Sequence, residues 1–304
     1  MAKWLAGVLL VMAACGGGSS SGWVVQEDVP GAGVGNTYVV WAFAEDDVWL
    51  GGQSVWNWDG AGWTEVPLPV TGAYIVDFWG LAPDDLWAVA DAAVFRWDGA
   101  AWSELPAAEQ LPFEALSVIW ASGPSDVWIG NDDNSKVYHF DGTAWTRETL
   151  QFVAASALWG SAPDDVWLTG VSDTYHYDGA SWSRYEPPIT GGDPGGSFAL
   201  WGDAPDDVWA SSIFGFVHWD GATWTEVEAD DEYNSMWGFG PDDIIAVGNR
   251  GTVARWDGSA WTESDGHLEL QQNFTHVHGS SPDNIWATAV DFDTLSGFVL
   301  RLEE

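Results

Sequence analysis

The stretch WGSAPDDVWLTG, residues 159–170, places two adjacent aspartates between two tryptophans. Taken alone, Asp164 and Asp165 could form a cation site, a substrate site or a turn. Variants of the same stretch begin at seven places: Trp41, Trp79, Trp120, Trp159, Trp201, Trp237 and His278. Because a binding site is needed once and a structural unit many times, the repetition favours a turn.

A second phrase, an aromatic residue followed by Asp-Gly-x-x-Trp, comes after each of the first six copies. Its glycines are spaced 39, 43, 37, 42 and 37 residues apart: Gly60, Gly99, Gly142, Gly179, Gly221 and Gly258. A unit of about 40 residues that recurs in this way is typical of propellers and other repeat folds. The repeats therefore outweigh the length of 304 residues, which alone would suggest two domains.

Each unit is predicted to form four short strands. In the fifth unit, residues 197–228, the runs SFALW, DVWAS, GFVHW and ATWTEVE are aromatic and β-branched. Between them lie Pro-Asp-Asp, a glycine turn and Asp-Gly, the last being a strong hairpin signal. Because there is no room for crossover helices, the sequence predicts an all-β fold: a seven-bladed β-propeller of four-stranded antiparallel blades.

The seventh unit reaches Glu304 without a fourth strand. The segment SGWVVQEDV, residues 21–29, matches the fourth-strand pattern AGWTEVPLP of the first unit. We therefore expect residues 23–26 to complete the last blade, which would close the ring and remove its exposed sheet edges. The predicted propeller domain is residues 23–304.

The order of strands divides the predicted ring into two faces. The aspartate face carries the Pro-Asp-Asp turns between strands one and two and the Asp-Gly turns between strands three and four. The variable face carries the remaining loops, such as residues 131–136 and 187–196, and a ligand is expected there. The aspartates predicted to have a structural role in the turns are Asp47, Asp85, Asp126, Asp165, Asp207, Asp243 and Asp283.

A polar column accompanies these turns. The residue before the third-strand aromatic is Arg or His in six of the seven units: Asn57, Arg96, His139, His176, His218, Arg255 and Arg301. The chain contains only 8 lysines and arginines together, so this concentration is selective. We expect these side chains to pair with turn aspartates, which would satisfy partly buried polar groups.

Tryptophan is unusually frequent, with 25 residues. All but Trp4 and Trp56 fall on four columns, one for each strand, which favours a packing role. Trp56 and Phe214 are candidate ligand-binding residues at the variable face. For Trp56 the alternative is that it covers the edge of a blade.

The formal net charge of −38 disfavours nucleic acid as a partner, because nucleic-acid binding requires basic patches. His276 and His278 flank Val277, but no third metal ligand is identifiable, and His278 occupies a tryptophan column, which favours packing. The sequence contains no nucleophile elbow, HExxH, P-loop or CxxC motif, so no catalytic residue is assigned. No metal site and no cofactor are predicted.

The first 22 residues have the pattern of an export signal and a tether. MAKWLAGVLLVMAAC has a cation, Lys3, then an apolar run and small residues before Cys15. MAAC resembles the lipobox of bacterial lipoproteins, which implies a signal peptide over residues 1–14 and lipidation of Cys15; a plain secretory signal is the alternative. Residues 15–22 then give a Gly/Ser tether, and Gly16 suggests the outer membrane. The tether leads to the aspartate face, where Ca²⁺ could bridge acidic side chains and an anionic leaflet.

The unit W-G-x-x-P-D-D-V-W…W-D-G-x-x-W is similar to repeats of bacterial secreted propeller lipoproteins and resembles tectonin propellers. The resemblance covers residues 23–302 and implies the propeller fold. Because tectonins include lectins that bind bacterial surface glycans, it also implies carbohydrate binding as an alternative function. The acidity and the Pro-Asp-Asp turns depart from the tectonin pattern, so no sugar-contacting residue is transferred. We predict a non-catalytic, monomeric cell-envelope lipoprotein that touches the membrane only through its lipid. Its variable face would bind a protein or peptide; the alternatives are a lectin and a glycan-active enzyme.

Overall fold

Runs of aromatic and β-branched residues, separated by Pro-Asp and Asp-Gly turns, form strands along the described chain. The computed structural model describes residues 22–26, 29, 39–106, 113–133, 135–151, 154–170, 173–185, 199–212, 215–229, 231–265, 272–291, 293–294 and 296–303. The helical content of these ranges is one 3₁₀ turn at Asn249–Gly251. No helix in this part of the chain is long and apolar enough to cross a bilayer.

The strands form seven sheets of four strands each, as the repeats predict. The first strand of the described chain is β1 (Gly22–Val25). Blade 1 contains β2 (Val39–Ala44), β3 (Asp47–Gly51), β4 (Trp56–Trp58) and β5 (Trp63–Glu65). Blade 2 contains β6 (Ile75–Ala82), β7 (Asp85–Ala90), β8 (Ala93–Trp97) and β9 (Trp102–Leu105). Blade 3 contains β10 (Leu116–Gly123), β11 (Asp126–Asn131), β12 (Lys136–Phe140) and β13 (Trp145–Thr149).

The remaining blades follow the same order. Blade 4 contains β14 (Ala155–Ala162), β15 (Asp165–Gly170), β16 (Thr174–Tyr177) and β17 (Trp182–Tyr185). Blade 5 contains β18 (Leu200–Ala204), β19 (Asp207–Ser212), β20 (Gly215–Trp219) and β21 (Trp224–Glu228). Blade 6 contains β22 (Tyr233–Gly240), β23 (Asp243–Gly248), β24 (Thr252–Trp256) and β25 (Trp261–Asp265). Blade 7 contains β26 (Gln272–Ser281), β27 (Asn284–Asp291), β28 (Ser296–Glu303) and β1.

The seven sheets form a closed ring with their first strands at the centre. The strands of every blade are antiparallel; they lie in chain order in blades 1 to 6, whereas in blade 7 the outermost strand is β1. The first strands of adjacent blades contact one another. Strand β1 pairs with β28, with Trp23 opposite Leu302, so the predicted closure is confirmed. The closing strand begins one residue earlier than predicted, at Gly22, and the Gln26 amide extends the pairing by donating to the Val299 carbonyl at 2.8 Å.

Tryptophans of the second strands pack on the next blade in six of the seven blades; in blade 6, Ile245 takes this position. Trp49 of blade 1 lies 5.1 Å from Trp97 and 5.8 Å from Trp102 of blade 2, measured between ring centroids. Trp128, Trp167, Trp209 and Trp286 make the same pair of contacts with the third- and fourth-strand aromatics of the following blade. Both faces of every sheet are therefore packed, which explains why all four strands carry tryptophan.

First-strand tryptophans pack over the glycine that follows the equivalent tryptophan in the next blade. A Cβ on Gly202 would lie 2.6 Å from the Trp159 ring, and one on Gly160 would lie 2.7 Å from the Trp120 ring. The tryptophan-on-glycine contact thus joins two blades at four of the seven blade junctions, where Gly80, Gly160, Gly202 and Gly238 each meet the tryptophan of the preceding blade.

Candidate functional site

The aspartate face is built from two turns that touch within each blade. The Pro-Asp turn occupies the two residues before the second strand, such as Pro163 and Asp164 in blade 4. The Asp-Gly turn lies against it, because a Cβ on Gly179 would be 2.7 Å from the Asp164 Cβ. Glycines of the other Asp-Gly turns meet the equivalent residue in their own blades. Both kinds of turn therefore share one face, as expected.

The aspartates of the Asp-Gly turns are held by their own backbones. The Asp98 carboxylate accepts hydrogen bonds from the amides of Ala100 and Ala101 at 2.9 and 2.8 Å. These bonds hold the pKa of Asp98 below its usual value. At Asp141, the hydroxyl of Thr143 and the amides of Ala144 and Thr143 lower the pKa of the carboxyl to about 2. One oxygen of each of these two carboxylates closes its hairpin, which is a structural role.

The aspartates named from the sequence occupy two positions in these turns. Asp283 lies in the turn itself, whereas the other six begin the second strand: Asp47, Asp85, Asp126, Asp165, Asp207 and Asp243. Each of the six pairs with the polar column of its own blade. Asp85 binds Arg96 with two hydrogen bonds of 2.7 and 2.9 Å, and His139 donates to Asp126 at 2.6 Å.

The polar column also stacks on the second-strand tryptophans. The His139 ring lies 4.0 Å from Trp128 at an angle of 11°, and the Arg96 guanidinium lies 5.2 Å from the Trp87 ring. Blade 7 differs from the prediction because Asn284 replaces the aspartate and accepts a hydrogen bond from Trp286 Nε1 at 2.9 Å; Arg301 lies over Trp286 at 5.5 Å, as Arg96 lies over Trp87. The expected pairing is thus present in six blades, and the column has a packing role.

A funnel of about 450 Å³ occupies the half of the central channel nearer the variable face. Its wall is formed by the first halves of the first strands, which begin on that face. The residue two positions before the first-strand tryptophan lines the funnel in every blade: Val39, Asp77, Val118, Ala157, Ala199, Ser235 and His276. Bulges in five of the first strands turn a further residue into the wall, including Ser117 and Asn234.

Aromatic rings form the floor of the funnel. Trp41 lies 5.2 Å from Trp79 and 5.6 Å from Trp237, a residue two blades away, so these rings reach across the channel. His278 stacks on Trp41 at 3.9 Å and lies 3.9 Å from Trp237. The funnel is therefore a mostly apolar pocket with an aromatic base.

Asp77 is the one carboxylate among the described residues that line the funnel. Its two oxygens accept hydrogen bonds from the backbone amides of Phe78 at 2.8 Å and Ile119 of the next blade at 2.9 Å. Burial raises the pKa of Asp77 to about 7, and the two hydrogen bonds only partly oppose this. Both the neutral and the charged forms of this side chain are therefore populated near neutral pH.

Two histidines of the same strand face the funnel, His276 in its wall and His278 in its floor. His278 accepts a hydrogen bond from the Ala42 amide through Nδ1 at 3.0 Å, which joins blade 7 to blade 1. Its Nε2 and the Nδ1 of His276 are buried and have no partner among the described residues. Burial lowers the pKa of His276 to about 4 and that of His278 well below its usual value, so both rings are neutral near pH 7. The packing role expected for His278 is confirmed by its stacking on Trp41.

The described residues contain no group of three or more His, Cys, Asp or Glu side chains that could hold a metal ion. Trp56 is half-buried in the third strand of blade 1 and packs against the core between blades 7 and 1, which includes Val40 and Trp286. Phe214 and Cys15 lie outside the described residues, as do residues 1–21. The ligand contact proposed for Trp56 thus competes with a packing contact that the structure contains.

Sequence reasoning missed Asp77 because it is one of 46 acidic residues. A signal for it does exist. In the column two residues before the first-strand tryptophan, the other six blades carry Val, Ala, Ser or His, so an acid at this position is exceptional. Reading each repeat column for its outlier, rather than for its consensus, would have identified the funnel carboxylate.

Seven four-stranded sheets around a central funnel define this protein as a seven-bladed β-propeller. No protein-family model matches the chain, and no curated protein matches it. Solved propellers do resemble it. A streptogramin B lyase has a TM-score of 0.75 at 11% identity, over 93% of this chain and 98% of that one.

Two further solved structures show how varied these neighbours are. YCF48 bound to a D1 peptide has a TM-score of 0.69 at 16% identity, over 93% of this chain and 97% of that one. The WD40 domain of Neurospora crassa Pan2 has a TM-score of 0.67 at 11% identity, over 94% of this chain and 97% of that one. At these identities the likeness establishes the fold alone, so function has to be argued from the site.

Proposed function

We propose that this protein is a non-catalytic binding propeller of the cell envelope, which holds an extended peptide segment of another protein at its variable face. The observation that carries the proposal is the funnel. Its volume of about 450 Å³ lies within the usual range for ligand pockets, about 300–1,000 Å³. Its apolar wall, aromatic floor and few polar groups are the usual composition of a recognition pocket.

The chemistry of the funnel favours binding over catalysis. At neutral pH a histidine with the pKa of His276 is a weak base. Both oxygens of Asp77 already accept backbone amides, which fixes the carboxylate in the wall. The likeness to a streptogramin B lyase concerns the fold and supplies no catalytic arrangement for these residues.

A peptide is the ligand class that the comparisons favour. YCF48, which shares this architecture over almost its whole length, has been observed with a D1 peptide bound. An extended segment also suits a pocket at the centre of a ring, since the loops of all seven blades surround the mouth. The lectin alternative stays a prediction: of its two proposed contacts, Trp56 packs against the core between blades, and Phe214 lies outside the described residues.

The proposal includes the lipid anchor at Cys15. Strand β1 begins at Gly22 opposite Glu303, at the aspartate face, so a tether over residues 15–22 would leave from that face. The anchored ring would then turn its funnel away from the membrane, and Ca²⁺ could bridge the aspartate face to anionic lipids. Mass spectrometry of the N-terminal peptide tests the anchor: a diacylglyceryl-modified Cys15 is expected, and an unmodified thiol would contradict it.

A peptide-display selection on the purified protein tests the binding function. The variant Ala157→Phe places a large ring in the funnel wall, and Ala100→Phe makes the same change at an exposed turn on the aspartate face. We expect selected peptides to bind the wild-type protein and Ala100→Phe, and to lose binding to Ala157→Phe. Peptides that bind all three proteins equally would place recognition elsewhere, and glycan binding without peptide binding would favour the lectin.

A further inference from the structure

Asp77 makes a hydrogen bond between two blades that blade 6 makes with an uncharged side chain. Its carboxylate accepts the amide of Ile119, the residue before the first-strand tryptophan of the next blade. Ser235 occupies the same column as Asp77, and its hydroxyl accepts the equivalent amide, that of Val277, at 3.0 Å. A neutral hydroxyl therefore satisfies this contact between blades. The negative charge of Asp77 is not required by the fold and is available for another role.

The position of Asp77 exposes part of this charge to the funnel. Each carboxylate oxygen has two lone-pair directions, and the amides of Phe78 and Ile119 use one on each oxygen. The remaining directions can accept hydrogen bonds from a ligand. An unpaired carboxylate in a largely apolar wall is costly, and a cationic partner would remove that cost.

The surroundings of Asp77 suit the stem of a long basic side chain. Apolar wall residues such as Val39 and Val118 can contact a methylene chain. The rings of Trp41, Trp79 and Trp237 at the floor can attract a cation through their faces. The buried Nδ1 of His276, which has no hydrogen-bond partner in the described part of the chain, adds a second polar atom in the same wall.

We infer that the funnel recognises a peptide segment by accepting one lysine or arginine side chain, whose cationic head binds the Asp77 carboxylate. This inference rests on the proposed peptide-binding function and specifies its ligand. The net charge of −38 would raise the local concentration of basic peptides near the whole protein, but it cannot select a single position in a peptide.

The pH dependence follows from the groups that face the funnel. The titratable residues of its described lining are Asp77, Tyr74, His276 and His278. Both histidines are neutral near pH 7, since burial lowers the pKa of His276 to about 4 and that of His278 well below its usual value. A cation binds the ionised form of Asp77, whose pKa is about 7, so affinity for a basic peptide should rise between pH 6 and pH 8.

A positional-scanning library of octapeptides tests the inference on the full-length protein, in about 1 M NaCl, where the Debye length is about 3 Å. The variant Asp77→Ser copies the Ser235 contact, and Asp84→Asn removes one charge from the exposed aspartate face. We expect wild type and Asp84→Asn to select Lys or Arg over norleucine at one position. In Asp77→Ser this preference should fall at least about tenfold, the lower end of what a hydrogen bond to a charged group contributes.

The outcomes separate the two proposals. Peptide binding without a basic position, or with a basic preference that Asp77→Ser retains, overturns the inference and leaves the peptide-binding function standing. Absence of binding to every peptide overturns both. If Asp77→Ser melts early, Asp77→Asn provides the same comparison, and a wild-type affinity for basic peptides that does not rise between pH 6 and pH 8 also contradicts the role of Asp77.

Discussion

Trp167 shows what a repeated residue does in this ring. It stacks on His176 of its own blade at 4.3 Å and meets Trp219 and Trp224 of the next blade, each at 5.2 Å. His176 in turn donates to Asp165 at 2.5 Å, so the aspartate that begins the second strand, the histidine and three tryptophans form one connected group. At the scale of single residues, the conspicuous Asp-Asp-Val-Trp phrase is therefore explained by packing between blades.

Gly160 tests the packing of tryptophan on glycine. In Gly160→Ala the new methyl group would lie 2.7 Å from the Trp120 ring and 2.6 Å from the Asp165 carbonyl oxygen, so one of these groups must shift. We expect the free energy of unfolding in urea to fall by about 1–3 kcal/mol. Gly123→Ala, which adds the same group where nothing lies within 4 Å, should leave stability unchanged. Equal effects of the two changes would contradict this account of the Trp-Gly pair.

The raised pKa of Asp77 predicts how the stability of the protein depends on pH. Its pKa is raised from 3.8 to about 7 on folding, so the folded protein binds this proton more tightly than the unfolded chain does. The contribution of Asp77 to stability therefore decreases as the pH rises from about 4 to about 7. Between pH 5 and pH 8 the wild type should lose about 2–3 kcal/mol more stability than Asp77→Asn. Parallel stability curves for the two proteins would show that the carboxyl is not perturbed.

At the scale of strands and turns, each Asp-Gly hairpin combines three features that depend on one another. The aspartate caps two backbone amides, the glycine adopts a positive φ, and the turn packs on the Pro-Asp turn of the same blade. Asp-Gly is thus specified by local geometry and by a neighbouring turn. This explains why the aspartate and the glycine are the same in all six copies, whereas the two residues after the glycine vary.

Alanine substitutions at Gly179 and Gly62 test whether the glycine of the Asp-Gly turn is required. Gly179 has a φ of 85°, and a Cβ there would lie 2.7 Å from Asp164. We expect Gly179→Ala to destabilise the protein by about 1–2 kcal/mol, from backbone strain alone, with the contact adding to it. Gly62→Ala converts WDGAGW of blade 1 into the WDGAAW of blade 2, where nothing obstructs the methyl group. Thermal unfolding should therefore be unchanged in Gly62→Ala; a loss as large as that of Gly179→Ala would contradict the argument.

The features that recur in every repeat could be predicted from the sequence. The seven units, their strand order, the shared face of the two turns and the pairing of the polar column all follow from repeated residues and alternation. Blade 7 deviated because Asn284 stands where the other blades have an aspartate, and Asn284 accepts a hydrogen bond from the indole of Trp286. The funnel could not be predicted in the same way, since it depends on how seven inner strands converge and on bulges that leave little trace in a single sequence.

At the scale of the whole molecule, β1 completes blade 7 and closes the ring. Trp23 packs on Phe274 at 5.3 Å and joins the core cluster between blades 6 and 7, where Ile245 replaces the usual tryptophan. Without β1, the edge of β28 would present unpaired backbone groups. Closure is thus both a packing contact and a protection against association through sheet edges.

Removal of residues 1–26 should lower the melting temperature and cause self-association that depends on concentration, whereas removal of residues 1–21 should do neither. A synthetic peptide of residues 22–26 should restore part of the lost stability by pairing with β28. The same peptide with Trp23→Ala should be less effective, because it lacks the contact with Phe274. Full stability of the 1–26 deletion in a calorimetric scan would contradict closure by β1.

The most direct test of the account is to map where a bound peptide touches the ring. A peptide selected by the wild-type protein would carry a photoreactive group, and the cross-linked residues would be identified by mass spectrometry. Adducts on the first strands around the funnel, at residues such as Val76, Ser156 and Asn234, are the predicted result. Adducts confined to the aspartate face, at turns such as those of Asp84 and Ala100, would contradict it.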